Sequence, residues 1–298
     1  MNIISTLIFF SLCWPLAKCQ THCSEWGWFG QGCKYRCHCE NNNCNDTSGQ
    51  CLNNAKCARG WFGLTCQYQD LATILSATVT TNPRQTEDWL TDRNDDNCNR
   101  YSKLNSIGVA WNSPQRFSWL KIVFKHATNY ASMNDISLTF TTSGGYDIQC
   151  QNKQSSFVDT NAMVTRCHQR EEVTGLKITG AGVSSMCSLY ISGGRNVALR
   201  QQTNQTSTYG KATSFKAVDG NTNNDFHGGS CSHTAVNSNI IPRWTLNFDY
   251  PVIVNRILIY NRWDSCCRDR LKNFNLKTFD ERYQSVDDIN NDNSELEV

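Results

Sequence analysis

The sequence predicts an all-β protein built from antiparallel jelly-roll β-sandwiches, with a small disulfide-rich module on their N-terminal side. From Asp70 onward, short apolar segments alternate with polar residues and are separated by Gly, Asn and Ser turns, which is typical of antiparallel strands. Seventeen of the 298 residues are cysteine, a density that indicates disulfides formed in an oxidising compartment. The strand pattern also occurs twice, which favours two related sandwiches.

Residues 1–19 have the features of a secretory signal peptide. Leu7–Phe10 begins a short hydrophobic run, and Ala17-Lys18-Cys19 supplies small residues suited to cleavage. The run is too short for a membrane anchor, and no later segment of the sequence is expected to span a bilayer. We therefore expect a secreted, extracellular protein with glycosylation sequons at Asn45 and Asn204.

The charge distribution excludes some classes of partner and reaction. A net charge of +2 is too small to indicate nucleic acid or an anionic membrane as a partner. A glycosidase would need a pair of carboxylates around its substrate, and Asp264 and Asp269 lie too close to arginines to serve as an obvious acid. The sequence therefore predicts a binding protein and not an enzyme.

Residues 20–69 form a cysteine-rich segment with two Gly-Trp-Phe-Gly turns. Its eight cysteines are Cys23, Cys33, Cys37, Cys39, Cys44, Cys51, Cys57 and Cys66. About fifty residues cannot bury a sizeable core, so four disulfides are expected to hold this module. Zinc binding at Cys37-His38-Cys39 is an alternative that an oxidising compartment disfavours. The segment resembles EGF-like modules of the laminin type or of multiple-EGF receptors, which implies a spacer.

The two sandwiches are predicted from a diverged tandem repeat. The matching segments are Asp70–Ala72 with Asn196–Ala198, Cys98 with Cys231, Lys121–Phe124 with Arg256–Tyr260, and Asp135–Phe140 with Asn273–Phe279. These correspondences give a first sandwich over 70–195 and a partial second one over 196–279. The remaining residues, 280–298, are acidic and lack strand periodicity, so we expect a disordered tail.

The cysteines distinguish the two copies. Cys150, Cys167 and Cys187 occur only in the first copy, for which we infer the bridges Cys150–Cys167 and Cys98–Cys187. The second copy is shorter, and its Cys231 has no evident partner. We expect this copy to lack closing strands, and we consider a partner chain joined through Cys231.

Adjacent cysteines, Cys266 and Cys267, are the most informative feature of the second copy. A disulfide between sequence neighbours closes almost no loop, so it is a poor staple but a rigid, flat, apolar patch. Arg262, Arg268 and Arg270 surround it with hydrogen-bond donors. An apolar centre with donors at its rim suits a sugar, which has a carbon face and several hydroxyls. A surface cluster of ion pairs is the alternative.

A tight turn upstream offers oxygen ligands. Asp219-Gly220-Asn221 presents carboxylate, amide and backbone oxygens, which is an arrangement for Ca²⁺. An ordinary turn with a self-capping side chain is the alternative. His233 and Arg262 could meet at one end of the sandwich, with Asp264 orienting the arginine.

The second copy resembles the F-type lectins (fucolectins), members of the galactose-binding-like fold. The resemblance is carried by Val218-Asp219-Gly220-Asn221, Gly229-Ser230-Cys231-Ser232-His233, Asn261-Arg262 and Cys266-Cys267-Arg268-Asp269-Arg270. It implies that His233, Arg262 and Arg270 bind L-fucose, that Cys266 and Cys267 stack on its carbons, and that Phe226 lines the pocket for its methyl group. It also implies Ca²⁺ bound by Asp219, Asn221, Ser230 and the carbonyl of Lys216. The extra Ser265 leaves Arg268 as an alternative to Arg270.

The first copy lacks this pattern, because Asp92-Arg93-Asn94 replaces the Asp-Gly-Asn turn and His126 is expected to be a surface residue. We therefore predict a secreted, calcium-dependent protein that binds L-fucose on glycans for recognition or adhesion. The alternative is a matrix or receptor-ectodomain interaction protein, or a truncated isoform without working sugar binding.

Overall fold

A computed structural model describes residues 23–84, 88–101, 103–126, 128–235, 239–252, 254, 256–264, 266–267, 270–271, 274–280, 282 and 284–291. The predicted signal peptide, Arg268 and Asp269 lie outside the described residues. Within these ranges, no helix is long and apolar enough to cross a membrane.

The N-terminal module (residues 23–69) consists of two small hairpins and three disulfides. Strands β1 (Trp28–Phe29) and β2 (Tyr35–Arg36) form one hairpin, and β3 (Trp61–Phe62) and β4 (Tyr68–Gln69) form the other. The disulfides are Cys23–Cys33, Cys39–Cys51 and Cys57–Cys66. The sulfurs of the last two bridges make most of the small core, as expected for a segment too short to bury many apolar side chains.

The expectation of four disulfides in this module is wrong for the structure, because Cys37 and Cys44 are free. The two thiols form a hydrogen bond, and burial with this bond raises the pKa of Cys44 to about 12. They are therefore already neighbours, as a fourth bridge would require.

The first sandwich has two antiparallel sheets. The five-stranded sheet has the order β5 (Ala77–Asn82), β6 (Ser106–Gln115), β12 (Val173–Thr179), β8 (Ser137–Thr142) and β9 (Asp147–Gln149). The four-stranded sheet has the order β10 (Gln154–Asp159), β11 (Ala162–Arg166), β7 (Trp119–Phe124) and β13 (Met186–Ser192). Two short helices, α1 (Asp88–Thr91) and α2 (Tyr130–Asn134), flank them. The predicted fold class is confirmed.

Alternating side chains from both sheets fill the core of this sandwich. Leu138 and Phe140 of β8 are buried with Ile178 of β12, opposite Ile122 and Phe124 of β7. Because side chains on a strand alternate between faces, this burial follows directly from the sequence pattern. The disulfides Cys98–Cys187 and Cys150–Cys167 are the two pairs inferred from the sequence.

A buried carboxylate, that of Asp70, lies where the chain enters the first sandwich. Asp70 is 0% exposed and accepts hydrogen bonds from the backbone N–H groups of Ala72 and Ile191, both at 3.1 Å, and from Thr73 Oγ1 at 2.9 Å. Desolvation raises its pKa to about 6 despite these donors. In the second copy, Asn196 Oδ1 accepts the N–H of Ala198 at 3.0 Å, which repeats the Asp70–Ala72 bond.

The second copy consists of two separate hairpins within the described residues. Strand β14 (Gln202–Gln205) pairs with β15 (Trp244–Asn247), and β16 (Phe274–Phe279) pairs with β17 (Ser285–Asn291). The predicted core strand at 256–260 does not form, since only Leu258 makes a β-bridge there. Leu258 is 45% exposed, whereas Ile122 at the corresponding place in β7 is 0% exposed.

The expectation of a disordered tail from residue 280 is wrong for 285–291. These residues form β17, which pairs with β16 along its length. The turn between them is held by Asp280 Oδ1, which accepts the N–H groups of Arg282 at 2.9 Å and Gln284 at 2.8 Å. Turn chemistry and backbone pairing form this hairpin, so the weak apolar pattern of the tail gave no signal. Residues 292–298 lie outside the described residues.

The N-terminal module contacts both copies. Phe62 packs against Trp119 and Tyr190 of the first copy, with ring centroids 5.3 and 5.2 Å apart. On the other side, Arg200 of the second copy forms a two-pronged ion pair with Glu25, at 2.8 and 3.1 Å. These contacts make the module a bridge between the two copies.

Candidate functional site

The candidate site lies where two loops of the second copy meet. One loop runs from Lys216 to His233, and the other runs from Arg262 to Arg270. The backbone N–H of Trp263 donates to the carbonyl of Asn224 at 3.0 Å, which ties the loops together. Because both loops are irregular, their hydrogen bonds and side-chain contacts determine where the functional groups lie.

Repeated Asx turns shape the first loop. Asp219, Asn221, Asn223 and Asp225 each accept, through Oδ1, the N–H of the residue two positions later at 2.8–3.0 Å. The series ends in a short 3₁₀ turn over Phe226–Gly228. This geometry winds the loop tightly and delivers the Phe226 ring to the site.

Phe226 is the hub of the cluster. Its ring centroid lies 5.5 Å from that of His233 in a T-shaped arrangement. The guanidinium carbon of Arg262 lies 4.2 Å from the same ring, within the range of a cation–π contact. His233 and Arg262, which are 29 positions apart in the sequence, therefore meet across one half-buried phenyl ring.

Asp264 fixes the orientation of Arg262. Arg262 Nε donates to Asp264 Oδ1 at 2.6 Å, and Nη2 donates to Oδ2, so the two planar groups are paired at both ends. This contact holds the pKa of Asp264 below its usual range. Asp264 is thus an ionised acceptor that leaves the remaining N–H groups of Arg262 for other partners.

His233 is linked to Arg270. His233 Nδ1 is 2.6 Å from the carbonyl of Thr234, and Nε2 is 3.4 Å from Arg270 Nη1. A carbonyl can only accept, so Nδ1 carries the proton and Nε2 is the acceptor of a neutral imidazole. The structure therefore brings Arg270 to the histidine; the alternative Arg268 lies outside the described residues.

The adjacent cysteines form a disulfide beside these donors. Cys266 is exposed and its sulfur lies 3.4 Å from Asp264 Oδ2, whereas Cys267 is buried. The backbone N–H of Cys267 donates to the carbonyl of Asp264 at 3.0 Å, and that of Arg270 donates to the carbonyl of Cys267 at 3.2 Å. These backbone bonds place the disulfide in the same turn as the Arg262–Asp264 pair.

The four predicted calcium ligands come from one loop. Asp219 and Asn221 contribute a carboxylate and an amide, Ser230 is buried and contributes a hydroxyl, and Lys216 contributes a carbonyl. These are the oxygen types that Ca²⁺ prefers. The Lys216 ammonium already contacts the carbonyl of Gly229, so a positive charge lies against this loop. The oxygen types suit a hard cation, whereas the neighbouring ammonium group would repel one.

Two aromatic residues at the site were missed from the sequence. Tyr209 is 54% exposed and its ring centroid lies 5.2 Å from that of His233; its backbone N–H also donates to the carbonyl of His233. Trp263 is 64% exposed between Arg262 and Asp264. Trp263 could have been predicted from the sequence, because it lies inside the Arg-x-Asp motif. Tyr209 comes from a distant loop, and no motif places it at the site.

The other predicted positions lie at the surface. Asn45 and Asn204, the two sequon asparagines, are both exposed. His126 of the first copy is exposed as well. Arg93, which replaces the glycine of the Asp-Gly-Asn turn, reaches away to Glu40 at 2.9 Å. The first copy therefore uses this turn to contact the N-terminal module.

One family model matches the segment that contains the candidate site. Residues 216–297 match the F5/F8 type C family model described as a NedA-like, galactose-binding domain. The matched segment contains every predicted sugar and calcium residue from Lys216 to Arg270, and it extends past Phe279 into the β17 hairpin. No curated protein sequence matches the chain.

Solved structures to which the chain is similar include the following three. CpGH89CBM32-6 of Clostridium perfringens is 13% identical, covers 42% of this chain and 100% of its own, and has a TM-score of 0.33. A serum f-lectin (fucolectin) of Morone saxatilis, the striped bass, is 16% identical, with coverages of 75% and 85% and a TM-score of 0.33. CBM62 of Clostridium thermocellum Xyl5A is 7% identical, with coverages of 40% and 94% and a TM-score of 0.31.

Proposed function

We propose that this chain is a secreted carbohydrate-binding protein whose second copy recognises L-fucose on glycans or glycoproteins in a calcium-dependent way. The observation that carries the proposal is the cluster in which Phe226 contacts His233 and Arg262 beside the Cys266–Cys267 disulfide. The galactose-binding-domain match over the same residues supports a sugar as the ligand.

The groups in this cluster suit a neutral deoxy sugar. Arg262 and Arg270 supply directional donors, and the neutral His233 can exchange its bond to Arg270 for one to a hydroxyl. Asp264 balances one positive charge, which removes the need for an anionic ligand. Phe226 offers an apolar surface for a methyl group, and the exposed sulfur of Cys266 offers one for ring carbons.

Calcium would act on the loop and not on the sugar directly. Asp219, Asn221, Ser230 and the Lys216 carbonyl would hold the ion, which would fix the winding of the segment that carries Phe226 and His233. We therefore expect chelation to weaken sugar binding indirectly. No reaction is proposed, since binding alone uses every group in the cluster.

A glycan array tests the function. The secreted chain is applied with calcium and with EDTA, alongside Arg262→Ala and the control Arg243→Ala, which changes an exposed arginine of the same domain. Fucosylated hits that disappear with EDTA and with Arg262→Ala, but not with Arg243→Ala, are expected. Binding to fucosylated glycans that is unaffected by EDTA and by Arg262→Ala would refute the proposed fucose site.

A second function is favoured by exposed apolar residues in the second copy. Ile241 is 83% exposed and Tyr260 is 62% exposed. Phe124, the residue of the first copy that corresponds to Tyr260, is fully buried. Such a surface is typical of an interaction site. Here the chain would be a matrix or receptor-type interaction protein, completed by a partner through the free Cys231.

Light scattering and non-reducing electrophoresis distinguish this second function. A larger species linked through Cys231, and lost in Cys231→Ser, would support completion by another chain. A monomer that binds fucosylated glycans with the same affinity as the Cys231→Ser variant would contradict it.

A further inference from the structure

A second recess lies on the N-terminal module, apart from the cluster around Phe226. It is a groove of about 320 Å³ between residues 23–28 and 42–52, which we call the module groove. Ligand pockets span roughly 300–1,000 Å³, so the groove matches a small ring and not an extended chain. A module that acts only as a spacer, the role expected from the sequence, does not need such a groove.

The apolar wall of the groove is an uncovered tryptophan. Trp26 is 75% exposed, and within the described part of the chain its ring has no aromatic or cationic partner. Trp28 beside it is different, because the guanidinium carbon of Arg200 lies 3.3 Å from its ring centroid. The Trp28 ring is therefore covered by Arg200, whereas the Trp26 ring is available to a ligand.

The opposite wall is rich in side-chain amides. Asn42, Asn43 and Asn45 line it, and Asp46 lies among them. The carboxylate of Glu25 also lines the groove and is paired with Arg200, at 2.8 and 3.1 Å. Asn45 Oδ1 accepts the N–H groups of Thr47 at 3.0 Å and Ser48 at 2.8 Å, so the oxygen is engaged by the backbone. Amides both donate and accept, and carboxylates accept, so this lining suits hydroxyl groups.

The groove is held in shape by backbone hydrogen bonds. The N–H of Gly30 donates to the carbonyl of Asp46 at 2.7 Å, and that of Leu52 donates to the carbonyl of Asn43 at 3.1 Å. The Cys23–Cys33 disulfide fixes the Trp26 side. A recess formed in advance loses little conformational freedom when a ligand enters.

We infer that the module groove binds a single neutral pyranose ring, stacked on Trp26 and hydrogen-bonded by Asn42, Asn43 and Asn45. An uncovered indole in a groove lined by amides and carboxylates is a combination that recognises a ring with a carbon face and a polar edge. The ring has two possible sources. It belongs either to an oligosaccharide in solution or to a glycan attached to Asn45 itself. In the second case the Asn45 amide nitrogen carries the glycan, and Asn42 and Asn43 supply the hydrogen bonds.

The test uses the full secreted chain carrying Arg262→Ala, so that sugar binding by the second copy does not contribute. An array of neutral hexosides and N-acetylhexosaminides is probed with this protein and with added Trp26→Ala. Added Leu64→Ala is the control, because Leu64 is an 80% exposed apolar residue of the same module. A second preparation carries Thr47→Ala, which removes the sequon and keeps the backbone N–H that bonds to Asn45.

Two results support the inference and identify the source. Array hits reduced about five- to tenfold by Trp26→Ala, and unchanged by Leu64→Ala, indicate a sugar from solution. If no hit appears, a shift of the Trp26 indole N–H resonance on enzymatic removal of the Asn45 glycan, absent in Thr47→Ala, indicates the attached glycan. No hits in either glycoform together with an unmoved Trp26 resonance would overturn the inference. Failure of the Phe226 site would not alter any of these results.

Discussion

Replacing Asp70 with asparagine is expected to stabilise the protein at neutral pH and to remove a pH dependence of its unfolding. The carboxyl is fully buried, and desolvation raises its pKa to about 6. An unfolded aspartate titrates near about 3.9. Because the folded-state pKa is the higher one, the folded protein holds this proton more tightly than the unfolded chain does. Stability from Asp70 is therefore present below about pH 4 and is lost as the pH rises through about 6.

The size of the effect follows from the two pKa values. The interval between about 3.9 and about 6 corresponds to roughly 3 kcal/mol at pH 7. Asparagine is neutral at every pH and can keep both backbone hydrogen bonds through its carbonyl oxygen. The second copy already uses this solution, since Asn196 accepts the equivalent N–H of Ala198. Asp70→Asn is therefore expected to recover up to about 3 kcal/mol.

Calorimetry between pH 4 and 7.5 and a carboxyl ¹³C titration measure the two quantities. Wild-type unfolding temperature is expected to fall over this range more steeply than that of Asp70→Asn. Asp159→Asn, at an exposed carboxylate, controls for the change in net charge. A titration midpoint for Asp70 below about 4, or a variant less stable than wild type at pH 7, would refute the reasoning.

Three further outcomes are expected. Replacing both Cys98 and Cys187 with alanine opens a loop of 89 positions and is expected to cost about 4–5 kcal/mol of unfolding free energy, measured in urea. Arg262→Lys keeps the charge but loses the paired geometry, so sugar binding is expected to weaken at least about tenfold in titration calorimetry. Alkylation of the unreduced protein followed by peptide mapping is expected to find Cys37 and Cys44 as free thiols, with Cys44 labelled slowly because its pKa is raised to about 12; a Cys37–Cys44 disulfide would contradict this.

Much of the first sandwich could be predicted from the sequence because its pattern is local. Side chains in β8 alternate between buried and more exposed positions, and those in β7 alternate from Trp119 to Ile122 before Val123 and Phe124 are both buried. Both strands are paired on both sides in the folded sheets. The same reasoning failed for residues 256–260. Their apolar pattern matches that of β7, yet Leu258 remains 45% exposed because the described residues of the second copy supply no neighbouring strands like β11 and β13. Periodicity reports which face could be buried, and burial itself requires a partner sheet.

The candidate site shows the same division. His233, Arg262 and the adjacent cysteines are short motifs whose residue types already indicate sugar chemistry, so the sequence identified them without coordinates. The inclusion of Tyr209 depends on a contact between separate loops, which no spacing rule reveals.

The sequence alone determined the all-β class and the cysteine-rich composition of the N-terminal module, and it predicted the repeat and the residues of the candidate site, because alternation, composition and motifs are properties of neighbouring residues. Only the tertiary structure decided that Phe226 joins His233 to Arg262, that β17 pairs with β16, and that Arg200 covers Trp28 and leaves Trp26 open. Each of these depends on which distant segments meet. That choice is made by the packing of the whole chain, and local sequence does not encode it.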